Sequence, residues 1–118
     1  MHHGKELRLL LVHDQKDYCE QFKEAVDLNR HNFRIECQYT TSGEHALEMI
    51  TSWQPAVVLL DAYLDDVNSF QILDQCKDGS ASIIVTSDTA SLEIEQSAQR
   101  HGAKGYCQSV DDLDGIEQ

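Results

Sequence analysis

Three apolar runs in this sequence are each followed by polar side chains that could take part in chemistry. These polar residues are His13, Asp14, Asp61, Thr86 and Ser87. Two carboxylates that lie close together, with a backbone carbonyl beside them, form an oxygen site suited to Mg²⁺. The metal offsets their mutual repulsion and can bridge to a phosphoryl group. One carboxylate can then act as the nucleophile that forms an acyl phosphate. The residue types therefore predict a phosphoryl-transfer site, if the fold brings them together.

Five short runs of apolar or alternating residues predict the strands that would position these side chains. They span residues 7–12, 34–40, 56–60, 83–85 and 105–107. The first and third are continuously apolar, which is typical of strands buried on both faces of a parallel sheet. Because helical periodicity lies between the runs, the pattern predicts an α/β fold with a doubly wound parallel sheet. In such sheets ligands bind at the carboxyl ends of the strands, where the candidate residues lie.

The predicted helices have local start and stop signals. Asp17 could cap the first helix, and Ser42 opens the second. Pro55 stops any helical continuation before the third strand. Gly79 follows the third helix, and Gly102 is well placed to end the fourth. These signals favour four helices joined to the strands by short connections.

Length and composition indicate a single domain over residues 1–118. A chain of 118 residues with 41% hydrophobic residues can form one core but not two. We expect the core to span residues 6–110, and residues 111–118 to form a short polar tail or a truncated last helix. The formal net charge of -12 disfavours nucleic acid and anionic membranes as partners. No apolar run approaches the roughly 20 residues that cross a bilayer.

The four cysteines show no metal-binding spacing. They are Cys19, Cys37, Cys76 and Cys107, and each lies in an apolar stretch. We therefore expect them to pack in the core as free thiols. A reducing, cytoplasmic location is the corresponding expectation.

Five segments of the chain together resemble the response-regulator receiver family, which includes the chemotaxis regulators. The segments are Leu-Leu-Val-His-Asp (10–14), Thr-Ser-Gly-Glu-His-Ala-Leu (41–47), Pro-Ala-Val-Val-Leu-Leu-Asp (55–61), Ile-Val-Thr-Ser (84–87) and Gly-Ala-Lys-Gly-Tyr (102–106). The resemblance covers roughly residues 7 to 110. It implies a flavodoxin-like (βα)5 fold with strand order 2-1-3-4-5, here with a short or missing last helix. It also implies two-component phosphorelay signalling.

The resemblance implies a role for five residues. Asp61 matches the aspartate that accepts the phosphoryl group, and Asp14 matches a direct Mg²⁺ ligand. Tyr63 falls where the family places a backbone carbonyl on the metal. Thr86 matches the switch hydroxyl that moves towards the phosphoryl group. Tyr106 matches the aromatic residue whose rotamer is coupled to that hydroxyl.

The chain also departs from the family pattern at several positions. His13 replaces an acidic residue, so we expect weaker Mg²⁺ binding; ligation of a transition metal by its imidazole is the less favoured alternative. Ser109 replaces the lysine that contacts the phosphoryl group, and can offer a hydrogen bond but no charge. Val110 replaces the proline that follows that lysine. Asp65 and Ser69 replace a proline and a glycine in the loop after Asp61.

Two functions within this family fit the residues. The first is a receiver that accepts a phosphoryl group from a histidine kinase or phosphotransfer protein. It would signal to a downstream protein or a fused output domain through the fourth helix, the fifth strand and the region after it, and the resemblance allows a homodimer. The alternative is a pseudo-receiver that acts as a phosphorylation-independent interaction module. In neither case is the chain an enzyme beyond its own phosphotransfer.

A third function, an aspartate-nucleophile phosphatase, fits poorly. Those enzymes also place an aspartate directly after a parallel strand. They generally need a second aspartate two residues later, and that position is Tyr63 here. Asp65 and Asp66 follow in the same loop, where they could approach a metal, but solvation is the default expectation for them.

Overall fold

The computed structural model describes residues 6–28, 34–88 and 91–108 as alternating strands and helices. The strands are β1 (Glu6–Val12), β2 (Arg34–Thr40), β3 (Val57–Asp61), β4 (Ser82–Ser87) and β5 (Gly105–Gln108). The helices are α1 (Lys16–Leu28), α2 (Gly43–Ser52), α3 (Ser69–Cys76) and α4 (Leu92–Arg100). The predicted alternation is therefore confirmed in type and order.

The five strands form one parallel sheet in the order β2-β1-β3-β4-β5. This is the strand order that the family resemblance implied. Strand β3 lies at the centre, between β1 and β4, so the sheet pairs Val12 with Leu60 and Asp61 with Thr86. The carboxyl ends of β1, β3 and β4 consequently meet at one edge of the sheet.

Each face of the sheet packs against helices, as the continuous apolar strands predict. On one face, side chains such as Val12, Val58 and Leu60 pack against α2, α3 and α4. On the other face, Leu11 and Leu59 pack against α1. Among the described elements, α1 is the only helix on that second face. The predicted truncated last helix falls on residues 109–118, which lie outside the described part of the chain.

Several predicted boundaries shift by one or two residues. Strand β4 runs through Thr86 and Ser87, so both lie within the strand and not after it. Asp17 lies inside the first turn of α1, and the prediction that it caps this helix is wrong. Ser42 does cap α2, because its hydroxyl accepts a hydrogen bond from the His45 N–H at 3.2 Å. Gly102 ends α4 with a φ of +100°, a conformation that favours glycine.

None of the four cysteines, all of which lie in the described part of the chain, forms a disulfide, and their burial divides them into two pairs. Cys19 and Cys37 are fully buried between α1 and the sheet, which confirms the core prediction for these two. Cys76 and Cys107 are only half-buried. Among the described residues, no helix is both long and apolar enough to span a membrane.

Candidate functional site

Three side chains converge where β1 and β3 end side by side. One potential metal-ligating atom from each of His13, Asp14 and Asp61 lies within 4.8 Å of the other two. His13 and Asp14 directly follow β1, and Asp61 is the last residue of β3. Since these strands are neighbours in register, the sheet itself brings the two carboxylates together. The predicted convergence of Asp14 and Asp61 is confirmed.

Asp61 is an almost fully buried carboxyl group, 7% exposed. Burial, the largest effect, and the nearby Asp14 carboxylate raise its pKa to about 6, although the Tyr63 N–H works in the opposite direction. That N–H donates a hydrogen bond to Asp61 Oδ1 at 3.2 Å. The buried Ser69 hydroxyl donates a hydrogen bond to the Asp61 carbonyl, which ties the start of α3 to the end of β3. The Asp61 side chain is therefore held in place at a site that resists a net negative charge.

His13 faces Asp61 with its Nε2, and hydrogen bonding indicates which ring nitrogen carries the proton. The Gln15 N–H donates a hydrogen bond to His13 Nδ1 at 3.1 Å, so Nδ1 is an acceptor. Burial lowers the pKa of His13, with Asp14 and Asp88 opposing the shift, which favours the neutral ring. The proton of the neutral ring consequently lies on Nε2. Nε2 is 3.9 Å from Asp61 Oδ2, and the ring packs against Tyr18 at a centroid distance of 4.3 Å.

These residues open onto a cleft of about 430 Å³. Four of its lining residues are aspartates: Asp14, Asp17, Asp61 and Asp88. Tyr63 also lines the cleft, with a side chain that is 58% exposed. An acidic cleft of this kind suits a divalent cation, which can then receive an anionic group beside Asp61.

Comparison with solved structures identifies the architecture. A signal receiver domain from Vibrio parahaemolyticus superposes with a TM-score of 0.81 at 22% sequence identity, over 96% of this chain and 85% of that chain. A two-component response regulator from Clostridium difficile superposes with a TM-score of 0.83 at 16% identity, over 93% and 88% of the respective chains. The chain has the response-regulator receiver fold.

A third receiver-fold structure bears on the chemistry. It is a response regulator from Burkholderia pseudomallei with a phosphorylated aspartic acid, a calcium ion and citrate. Its TM-score is 0.80 at 15% identity, over 93% of this chain and 64% of that chain. No protein-family model matches the sequence, and no curated protein matches it. The chain thus resembles these structures closely in backbone fold but only weakly in amino-acid sequence.

A further predicted site residue, Thr86, lies beside the end of β3. Thr86 is 5% exposed and is the register partner of Asp61 across β3 and β4. Paired residues in parallel strands project from the same face, so the two side chains are neighbours. The Thr86 carbonyl also accepts a hydrogen bond from the Ala62 N–H at 2.8 Å. The position predicted for a switch hydroxyl is therefore occupied by Thr86, while the switching itself stays a prediction.

Tyr106 lies one strand further from Asp61. It pairs with Val85 across β4 and β5, and its half-buried ring packs against the core on the side of α2, α3 and α4. Its role as the switch aromatic stays a prediction. Ser109 and Val110, the positions predicted to match a lysine and a proline, lie outside the described residues.

Asp66 has a structural role that the sequence pattern did not reveal. Its carboxylate accepts hydrogen bonds from the Ser42 hydroxyl at 2.9 Å, the Gly43 N–H at 2.9 Å and the Glu44 N–H at 3.3 Å. The pKa of Asp66 is lowered, mainly by the Gly43 N–H, with the Glu44 N–H and the Ser42 hydroxyl adding to the shift. Asp66 is an exposed loop acid, as expected, and it also caps α2. No local signal marks a contact between residues 24 positions apart.

Proposed function

We propose that this chain is a receiver that accepts a phosphoryl group on Asp61 in a two-component phosphorelay. The observation that carries the proposal is the pair of carboxylates, Asp14 and Asp61, held together in a cleft at the end of the central strand. The donor would be the phosphohistidine of a histidine kinase or phosphotransfer protein. The phosphorylated aspartate of the Burkholderia pseudomallei structure, which has the same fold, supports this chemistry.

In the proposed step the Asp61 carboxylate attacks the phosphorus of the phosphohistidine. A P–O bond forms and the P–N bond breaks, with its electron pair going to the donor nitrogen; because the other ring nitrogen of the phosphohistidine is protonated, a neutral imidazole leaves. The product is an acyl phosphate on Asp61. Before the attack, the Tyr63 N–H donates a hydrogen bond to Asp61 Oδ1 and so keeps the Asp61 carboxylate oriented. Asp61 must be ionised to react, and its raised pKa means that the reactive fraction increases as the pH rises through about 6.

The residues at the site fit Mg²⁺, which the proposed reaction requires. Asp14 and Asp61 supply carboxylate oxygens, the ligands that Mg²⁺ prefers, and the Tyr63 carbonyl would supply a third. Burial and the Asp14 carboxylate raise the pKa of Asp61, and a bound cation would offset both effects. Bound Mg²⁺ would provide this positive charge and draw electron density from the transferring phosphoryl group.

We further propose that phosphorylation is transmitted through Thr86 and Tyr106. A phosphoryl group on Asp61 would attract the neighbouring Thr86 hydroxyl, and the ring of Tyr106 would reposition beside it. The surface formed by α4, β5 and the following residues would then favour a second packing. A downstream protein or a fused output domain would bind one of the two packings.

Mass spectrometry of the intact protein tests the proposal. We expect incubation with acetyl phosphate and Mg²⁺ to add the mass of one phosphoryl group. Asp61→Asn should abolish the addition, and Asp14→Asn should reduce it strongly because a metal ligand is lost. Asp65→Asn is the matched control, since Asp65 is an exposed acid in the same loop. Absence of the addition from the unaltered chain, at any Mg²⁺ concentration, would exclude phosphoacceptor function.

That negative outcome would favour the second function, a phosphorylation-independent interaction module. The specific observation behind this alternative is the composition of the cleft. Four aspartates line it, His13 stands in place of an acid, and no lysine or arginine is among its described lining residues. In that case Asp61→Asn would bind the same partners as the unaltered chain.

A further inference from the structure

His13 presents a hydrogen-bond donor that has no acceptor in the described structure. Its Nδ1 accepts from the Gln15 N–H, so the neutral ring carries its proton on Nε2. Nε2 lies 3.9 Å from Asp61 Oδ2, about one ångström longer than a hydrogen bond. Within residues 6–28, 34–88 and 91–108, Nε2 makes no hydrogen bond, and its ion-pair partner is Asp61. The His13 side chain is only 9% exposed, and a buried donor without a partner destabilises the fold.

The orientation of this donor is set by its surroundings. The Gln15 N–H holds one edge of the ring, and Tyr18 packs against its face. The opposite edge therefore points at the side chain of Asp61. A phosphoryl group attached to that carboxylate would extend into the gap and bring oxygen atoms towards Nε2.

The cleft also has a shortage of groups that can bind an anion. Four carboxylates line it, and an incoming phosphoryl group adds further negative charge. Among its described lining residues, His13 is the only one whose side chain contains a basic nitrogen. An N–H donor that points at the anion would therefore stabilise it, even when the imidazole ring is neutral.

We propose that His13 contacts the phosphoryl group on Asp61, donating a hydrogen bond from Nε2–H to one of its oxygens. This inference rests on the proposed function, since it assigns a second role at the same site. At this position the family has an acidic side chain that faces the metal, whereas His13 would face an oxygen of the phosphoryl group. Two other roles are conceivable for His13: it could ligate the metal, or it could only pack against Tyr18. Metal ligation through Nε2 conflicts with the hydrogen bond that Nδ1 accepts, because a histidine that binds a metal through one nitrogen normally donates a hydrogen bond from the other.

Beryllofluoride, which mimics an aspartyl phosphate, provides the test when its binding is followed by ¹⁹F NMR in the presence of Mg²⁺. His13→Phe keeps a ring against Tyr18 but has no donor, and we expect its beryllofluoride affinity to fall about tenfold. His13→Gln keeps an N–H and should restore most of that affinity. His13→Met, which resembles glutamine in shape but lacks the donor, should behave like His13→Phe. If His13→Phe does not fold, the comparison of His13→Gln with His13→Met still tests the proposal.

Two controls separate the readings. Mg²⁺ affinity without beryllofluoride, measured by calorimetry, should stay within about twofold of the unaltered chain in all three variants; a large loss would instead identify His13 as a metal ligand and overturn the proposal. His101→Gln should leave both affinities unchanged, because His101 pairs with Asp74 on α3. Equal beryllofluoride affinity in His13→Phe and the unaltered chain would overturn the contact while leaving the proposed function intact. No beryllofluoride binding by the unaltered chain would overturn both.

Discussion

At the scale of single residues, the site is defined by side chains held in unfavourable electrostatic surroundings. Asp61 is a buried acid beside a second acid, and the pKa of Asp61 is raised to about 6. Its ordinary value is about 3.9. Such a group stabilises the fold most when it is protonated, below about pH 3.9, and that contribution is lost as the pH rises through about 6. Near neutral pH the ionised Asp61 therefore weakens the fold.

Removing this charge should make the protein more stable. We predict that Asp61→Asn increases the free energy of unfolding at pH 7.5 by about 1–3 kcal/mol, because the amide avoids the cost of burying a carboxylate. Urea denaturation measures the difference, which should shrink towards zero at about pH 4. Saturating Mg²⁺ should also shrink it, by stabilising only the chain that retains the carboxylate. Equal stability of the two proteins at pH 7.5 without Mg²⁺ would contradict the raised pKa.

At the scale of secondary-structure elements, the loop between β3 and α3 is connected to three neighbours. The Ser69 hydroxyl donates to the Asp61 carbonyl, and the Asn68 side chain caps α3 by accepting the Phe70 N–H at 2.8 Å. Asp66 caps α2 through the Gly43 and Glu44 N–H groups. Carboxylates at helix N-termini are favourable because the unpaired N–H groups point towards them. The loop that follows Asp61 is therefore anchored to β3, α2 and α3.

Loss of the Asp66 contact should loosen this loop. We predict that Asp66→Ala lowers the free energy of unfolding at pH 7 by about 1 kcal/mol. Because the pKa of Asp66 is lowered in the folded chain, the stabilising effect is present above the ordinary aspartate pKa and is lost as the pH falls through the lowered value. Denaturation at neutral and at acidic pH measures this dependence. Asp65→Ala in the same loop is the control, and an equal loss in both variants would argue against a specific cap.

At the scale of the whole molecule, the charge is strongly unbalanced. The chain has 21 Asp and Glu residues against 9 Lys and Arg residues, and four of the aspartates line one cleft. Self-repulsion of this kind opposes the compact state. It also favours partners with basic surfaces, which suits docking by another protein more than binding to nucleic acid.

Salt should consequently stabilise the fold. We predict that the Tm rises when ionic strength increases from about 0.01 M to about 0.15 M, because the Debye length falls from about 30 Å to about 8 Å. Thermal denaturation in sodium chloride and in choline chloride should give similar increases, since screening does not depend on a specific cation site. A Tm that falls with salt would show that attractive ion pairs dominate over repulsion.

Much of the architecture could be predicted from local patterns. The continuous apolar runs before Asp14 and Asp61 identify buried parallel strands, because only such strands are covered on both faces. The place of both aspartates at strand ends follows directly. Ser42 and Gly102 mark helix ends, since capping and left-handed backbone depend on a few adjacent residues. The order of the strands came from resemblance to a family and not from these patterns.

The residue pattern therefore predicts the type and order of the elements, the position of Asp61 and its convergence with Asp14. The folded structure was needed to show how deeply Asp61 is buried, that His13 Nε2 faces it, and that Asp66 caps a helix 22–24 residues earlier in the chain. The physical reason is the range of the interactions. Caps and apolar periodicity act over a few residues, whereas burial and the proton arrangement of His13 depend on how separate strands and loops meet.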